Sequence, residues 1–203
     1  ASQLPWRDLA SRNAGIAVTD RRSSYVRKHV RGDAEYFVKV YEYETWADRL
    51  RDFGRRTGPF ATPRAVREFD ALTWLRRAGF PAPMPLCAAV QRRLGFVVRA
   101  VLVTSAHAGE RADRALAALD APERTSLRAA IEQLLRDLHA LGFRDRNFDL
   151  RNLLVERASD GWRVAKIDSP RYRLVAPGKA DDKLAQADWA RLLPQLAPFA
   201  TRP

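Results

Sequence analysis

A change of hydrophobic period part-way along the chain limits what it can fold into. Before about residue 105 the apolar side chains mostly alternate, as in a half-buried strand. After about residue 110 they recur three and four apart, as in an amphipathic helix. SSYVRKHV (23–30) and EYFVKVY (35–41) read as two strands of a hairpin around Arg31-Gly32-Asp33-Ala34. Residues 1–22 read as an irregular lead-in or a first weak strand, and 42–60 as a loop marked by Gly54, Gly58 and Pro59. One helix comes next, with Thr62 as N-cap, Pro63 in its first turn and its end at Gly79. Strands are predicted near 86–91 and 96–104. Beyond them come a short helix to Leu119 and a longer one opened by Asp120, with Leu127, Ile131, Leu134, Leu135 and Leu138 on one face. A hairpin (152–156 and 162–168) and a last helix (about 180–196) complete the chain. Strands first and helices second make an α+β pattern in two lobes of a single domain spanning 1–203. The N-lobe takes about 1–104, the C-lobe about 110–203, and the linker about 105–109.

Composition narrows the function classes. With 203 residues and 46% hydrophobic content the chain can bury a true core. No apolar run approaches the length needed to span a bilayer, and ASQLPWRDLA lacks the pattern of a signal peptide. A cytoplasmic protein is expected, and the lone Cys87 is expected to be a buried, inert thiol. The net charge of +12 favours an anionic partner: nucleic acid, an acidic membrane surface or a phosphorylated sugar. Nucleic acid is disfavoured, because no RNA- or DNA-binding signature is present and Trp6, Tyr25 and Trp46 read more simply as core or boundary residues. The excess is almost all arginine; the lysines are Lys28, Lys39, Lys166, Lys179 and Lys183. A chain that meets its need for cations with Arg makes each Lys position informative.

Four features then stand in order. Lys39 sits in the middle of the strand YFVKVY, sharing a face with Phe37 and Tyr41. About thirty residues on, Glu68 aligns with Leu72 and Leu75 on the inward face of a helix, where a carboxylate needs a cationic partner. Arg64 and Arg67 are the local candidates for that partner, and Lys39 the distant one. Asn152 leads into the strand Leu153-Leu154-Val155, and Asp168 closes the strand WRVAKI. Across one hairpin these two offer oxygen ligands to a hard cation such as Mg²⁺. A strand Lys, a helical Glu, an Asn-led strand and a strand-ending Asp are, in chain order, the working parts of a kinase. His139, at a helix C-terminus, is expected to cap carbonyls there.

The stretches YFVKVY, REFDALTWLRRAGFPAP, LHALGFRDRNFDLRNLLV and KIDSPRYR, with DDKLAQADWARLL after them, resemble the lipopolysaccharide kinase family of Kdo and heptose kinases. The resemblance implies a protein-kinase-like two-lobed fold with Mg²⁺-ATP bound between the lobes. Lys39 would contact the ATP phosphates, Glu68 would hold Lys39, and Asn152 and Asp168 would bind the metal. The acceptor would be a hydroxyl of an anionic sugar or glycolipid, met at the cytoplasmic face of the inner membrane through peripheral contact.

The chain departs from the family pattern twice. Counting back from Asn152 puts Asp145 where the family has His and Asn147 where it has the catalytic Asp, and an amide cannot take the proton of the acceptor hydroxyl. Either Asp145 or Asp149 supplies the carboxylate from a shifted loop, or Asn147 is an engineered replacement, or the chain is a nucleotide-binding pseudokinase that regulates a protein partner. Nor does a glycine-rich phosphate loop precede the first hairpin, only Ala14-Gly15 and Gly32.

Overall fold

The computed structural model describes residues 6–51, 57–178 and 182–200. The chain divides into two compact units, Ala1–Trp74 with Pro83–Ala106, and Leu75–Ala82 with His107–Pro203.

The first unit holds a short helix α1 (Trp6–Leu9), strands β1 (Ile16–Arg21), β2 (Ser24–Arg31) and β3 (Ala34–Glu42), and helix α2 (Trp46–Arg51). Helix α3 (Arg64–Arg77), which begins in this unit, precedes strands β4 (Pro85–Arg93) and β5 (Phe96–Ser105). The strands form one antiparallel sheet in the order β1-β2-β3-β5-β4. Strand alternation puts Val38 and Val40 on the buried face, where they join Ala10, Tyr25 and Val101. All three hairpins of the sheet close through two residues, Arg22-Ser23, Gly32-Asp33 and Leu94-Gly95, with Leu94 and Gly95 at φ 49° and 80°, a conformation matched to the strand twist.

Four sequence expectations change here. The loop predicted over 42–60 contains α2; Gly54 lies outside the described residues. The signal was Thr45-x-x-Asp48: the Asp48 amide donates to Thr45 Oγ1 (3.1 Å) and Thr45 N to Asp48 Oδ2 (3.4 Å), a reciprocal cap. Helix α3 starts at Arg64, later than a Thr62 cap requires, and Arg67 N donates to the Pro63 carbonyl (3.1 Å). Cys87 is exposed, because β4 is an edge strand whose register slips between Pro85 and Cys87. Tyr25 is buried, as read, but Trp46 is 52% exposed; the Trp6 side chain lies outside the description.

The second unit contains β6 (Glu110–Arg111), α4 (Ala112–Ala118), α5 (Ala121–Ala140), β7 (Phe143–Arg144), β8 (Leu153–Ala158), β9 (Gly161–Lys166), β10 (Arg173–Leu174) and α6 (Lys183–Leu196). Asp120 caps α5 by accepting from Glu123 N (2.9 Å). Leu127, Ile131, Leu134, Leu135 and Leu138 are all buried, as the 3.6-residue period predicts. Burying each such side chain contributes roughly 1.5–3 kcal/mol. Strands β6, β8 and β9 form one small sheet, and β7 and β10 another.

Gly142 makes the turn out of α5. Its φ is +84°, and a Cβ there would stand 2.2 Å from the Val175 carbonyl oxygen, whose own amide donates to Gly142 O (2.9 Å). No flexible side chain is available to yield, so Gly142→Ala is expected to cost about 2 kcal/mol or more, measured by urea unfolding. Gly178→Ala, at φ +83° but with open space around its Cβ, should cost clearly less. Equal losses would contradict the close approach.

Candidate active site

Strand β3 carries Lys39 and helix α3 carries Glu68, and the first unit brings them together. Lys39 Nζ donates to both Glu68 oxygens, at 3.0 and 2.9 Å. Glu68 is 4% exposed, and the Tyr41 hydroxyl donates to the same carboxylate at 2.9 Å. Tyr41 shares the face of Lys39 by strand alternation, so its place was legible in the sequence, whereas its bond to Glu68 was not. The distant partner, Lys39, is thus the one that reaches both carboxylate oxygens. The Lys39 side chain keeps 21% of its surface open, enough to present a cation. A lysine held by a buried carboxylate is a fixed positive point.

At one end of the same sheet the connection between β1 and β2 is Arg22-Ser23, where a glycine-rich kinase has its flexible loop. Here the turn is braced from below. Arg12 donates to the carbonyls of Arg21 (3.3 Å) and Arg22 (3.1 Å) and pairs with Glu42 and Asp20. The buried Glu42 also accepts from Arg99 and from the Tyr25 hydroxyl. Burial would raise the Glu42 carboxyl, but the bonds from Arg99 and Arg12 outweigh it and hold the group below its ordinary value.

In the second unit the segment after β7 is organised by Asp188 of α6, which is fully buried. Its two oxygens accept from Asp145 N (3.0 Å) and Arg146 N (2.7 Å), and one lies 3.2 Å from His139 Nε2. His139 therefore does not cap the end of α5: it is 2% exposed and turned onto Asp188, with its ring edge-on to Trp189. Arg146, at φ 58°, is held in the left-handed region by this anchor. Asp188 lies in DDKLAQADWARLL, which resembles the family, yet nothing local in the sequence distinguishes it from Asp181 or Asp182.

The loop then delivers three of the predicted residues to one place. Asn147 Nδ2 donates to Asp168 Oδ2 (3.1 Å) and to the Asp168 carbonyl (3.3 Å), and Asn152 Nδ2 donates to the Asn147 carbonyl (3.1 Å). The hairpin supplies the register, with Leu153 opposite Lys166 and Ile167 N donating to Asn152 O (2.9 Å). Asp168 has φ 61°, a conformation that costs a non-glycine residue about 1–3 kcal/mol and turns its carboxylate toward Asn147.

The two other predicted carboxylates are engaged elsewhere. Asp145 is 1% exposed and ion-paired with the fully buried Lys166 at 3.3 Å; burial pushes its carboxyl up, against the pull of Lys166. Asp149 caps the 3₁₀ turn Leu150–Asn152, accepting from Arg151 N (3.1 Å), Nε (3.0 Å) and Nη2 (3.0 Å) and from Arg191 Nη2 (3.4 Å). Its carboxyl is held down to about 2, chiefly by Arg151, which makes it a poor proton acceptor at neutral pH. Among the described residues no three His, Cys, Asp or Glu side chains gather as a metal site. An ion held at the loop would rest on the Asp168 carboxylate and the Asn152 amide oxygen, hard donors of the kind Mg²⁺ takes together with water and phosphate.

A β-rich unit with a strand lysine held by a helical glutamate, and a helical unit with an Asn- and Asp-bearing loop, define a protein-kinase-like fold. The sequence model of the lipopolysaccharide kinase (Kdo/WaaP) family matches residues 12–198, and the chain belongs to that family. No curated protein matches the sequence significantly. Among solved structures it is similar to WaaP in complex with acyl carrier protein, at TM-score 0.60 and 18% identity, covering 87% of this chain and 68% of that one. It is also similar to the Rio2 kinase–ADP/Mg²⁺–phosphoaspartate complex from Chaetomium thermophilum, at TM-score 0.58 and 18% identity, covering 91% of this chain and 56% of that one.

Removing the Asp188 carboxylate would leave two backbone amides and His139 without their buried acceptor. Asp188→Ala is expected to cost about 3–5 kcal/mol in urea unfolding, the scale of breaking a buried charged hydrogen-bond set. A loss under about 1 kcal/mol would show that the loop does not depend on it.

Proposed function

We propose that the chain is an ATP-dependent phosphotransferase that moves a phosphoryl group to a hydroxyl of an anionic sugar or glycolipid. The observation that carries the reading is the Lys39–Glu68 pair, with its carboxylate buried, in a chain of the lipopolysaccharide kinase family. Lys39 neutralises the α- and β-phosphates, while Glu68 and Tyr41 fix where its charge sits. Asp168 and Asn152 hold Mg²⁺, and the Asn147–Asp168 bond sets the orientation of that carboxylate. The ion supplies charge neutralisation on the phosphates, which is most of what phosphoryl transfer requires of its surroundings.

Asn147 takes the place of the base. Its amide nitrogen is committed to Asp168, which leaves the amide oxygen to accept a hydrogen bond from the acceptor hydroxyl and aim it. It cannot keep the proton. The acceptor oxygen bonds to the γ-phosphorus as the bridge to the β-phosphate breaks, ADP leaves, and the proton passes to the transferred group or to water. That arrangement makes the reaction slow, since a positioned base contributes about 10²–10⁴-fold. Asn147 equally favours a second reading, a nucleotide-binding regulator that performs no transfer.

The charge of +12 suits a phosphorylated or carboxylated acceptor and a peripheral encounter with acidic lipid headgroups at the cytoplasmic face. No helix among the described residues is long and apolar enough to cross a membrane. A protein partner is also open to a chain with this surface, as the WaaP complex with acyl carrier protein illustrates for that relative.

The test is ³¹P NMR of ATP with Mg²⁺ and lipopolysaccharide core oligosaccharide. Acceptor-dependent ADP and a new phosphomonoester signal are expected for the wild type, faster by about 10²-fold or more in Asn147→Asp and absent in Lys39→Ala. No transfer by either wild type or Asn147→Asp, with ATP still bound, would replace the enzyme by the regulator.

A further inference from the structure

Lys166, the last residue of β9, is fully buried, and its ammonium faces three oxygens, one for each hydrogen it can donate. Nζ donates to the carbonyls of Ile167 (2.6 Å) and Asp168 (3.2 Å) and pairs with Asp145 Oδ2 at 3.3 Å. The backbone around it is fixed as well. Lys166 N donates to the Pro81 carbonyl (3.0 Å), and Ile167 N to Asn152 O (2.9 Å). Nothing in the proposed transfer uses this lysine, and with no hydrogen and no surface left over it cannot meet a phosphate. An ammonium this deep needs a counter-charge, which Asp145, itself 1% exposed, supplies.

The geometry ties this pair to the loop that carries Asn147. In an extended strand successive carbonyls point to opposite sides, so one cation cannot take two in a row. Here Ile167 O and Asp168 O converge on the same Nζ, which the left-handed backbone of Asp168 (φ 61°) allows. The same turn presents the Asp168 carboxylate to Asn147 Nδ2 (3.1 Å), which also donates to the Asp168 carbonyl that Lys166 takes (3.3 Å). From the other side comes Asp145, two residues before Asn147, with its own amide on Asp188 (3.0 Å). The ammonium therefore bridges the two backbones that bear Asn147 and Asp168. Residue choice agrees. Three converging oxygens suit a compact ammonium and not a planar guanidinium fork, and this position holds a lysine in a chain whose cations are almost all arginine.

We infer that the buried Asp145–Lys166 pair is a clamp that sets the Asp168 carboxylate and the Asn147 carboxamide in place, which makes Asp145 and Lys166 positioning residues for the metal site. Lys166 stabilises the left-handed turn through two successive carbonyls. Asp145 compensates the ammonium and joins it to the loop. This deepens the proposed function, and it rests on that reading only for what the positioned carboxylate does, which is to hold Mg²⁺. Where Asn147 and Asp168 sit is independent of nucleotide and metal.

The experiment compares the full-length wild type, Lys166→Met and the double variant Asp145→Asn/Lys166→Met. The single variant leaves a carboxylate uncompensated in the interior. The double removes both charges together, so its urea midpoint should recover most of what the single variant loses. Two readouts then separate positioning from stability. In ¹⁵N spectra without nucleotide or metal, the Asn147 carboxamide and the Asp168 and Ser169 amides of the double variant should shift, and the Asn147 side-chain protons should exchange faster. Amides of β1 to β3 should keep their positions. With ADP present, the double variant should bind Mn²⁺, followed by electron paramagnetic resonance, more weakly by about tenfold or more, the scale of losing a group that orients a metal ligand. ADP without metal should bind as it does to the wild type. A double variant no more stable than Lys166→Met would overturn the pairing. Wild-type Asn147 and Asp168 resonances in the double variant, or an unchanged Mn²⁺ affinity, would overturn the clamp. Should the wild type itself take up no Mn²⁺ with ADP, the proposed metal site falls and the Asn147 and Asp168 resonances alone decide the clamp.

Discussion

One buried carboxylate organises the helical unit. Asp188 projects from α6 into the interior, and the backbone of Asp145 and Arg146 closes onto it from one side and His139 from another. Burying a charge without partners is costly, so the loop has little freedom to sit anywhere else. Arg146 accepts a left-handed backbone as a consequence, and the chain leaves that residue aimed so that Asn147 meets Asp168. Gln195, two turns further along the same helix, fixes the next part of the loop through Leu150 N. A single helix thus sets the loop's path at two points, and the chemistry-bearing side chains inherit their positions from it.

The β-rich unit solves a related problem differently. A glycine-rich phosphate loop gains adaptability but loses more backbone entropy when it is ordered. This chain instead has Arg22-Ser23 between β1 and β2 and fixes the turn through Arg12, Glu42 and Arg99, while Lys39 is fixed by Glu68 and Tyr41. Both anchors are carboxylates buried in the sheet or its covering helix, each saturated by several donors. Rigid cationic points of this kind lower the ordering cost of binding an anion, as preorganisation generally does.

Much of this was legible in the residues. Strand alternation gave the buried face of β3, the 3.6-residue period gave the buried face of α5, and the order Lys, Glu, Asn, Asp gave the kinase-like reading. What escaped was held by contacts distant in sequence. His139 looks like a C-terminal cap until Asp188, forty-nine positions on, takes its ring nitrogen. Asp145 and Asp149 look like spare carboxylates until Lys166 and the Arg151–Arg191 pair claim them. Cys87 reads as buried among small and apolar neighbours, but edge position is a property of the sheet and not of the segment. Helix α2 is the one miss with a local cause, since the Thr45–Asp48 box was in plain view.

That Lys39 is a preorganised phosphate contact can be tested apart from turnover and apart from the acceptor. Calorimetric titration of the full chain with Mg²⁺-ATP and with adenosine, for wild type and Lys39→Ala, isolates its part. The result expected is that Lys39→Ala weakens Mg²⁺-ATP by about tenfold or more, as loss of a charge-assisted contact does, and leaves adenosine unchanged. Equal affinity of the two proteins for Mg²⁺-ATP would contradict it and make the Lys39–Glu68 pair a purely structural bridge.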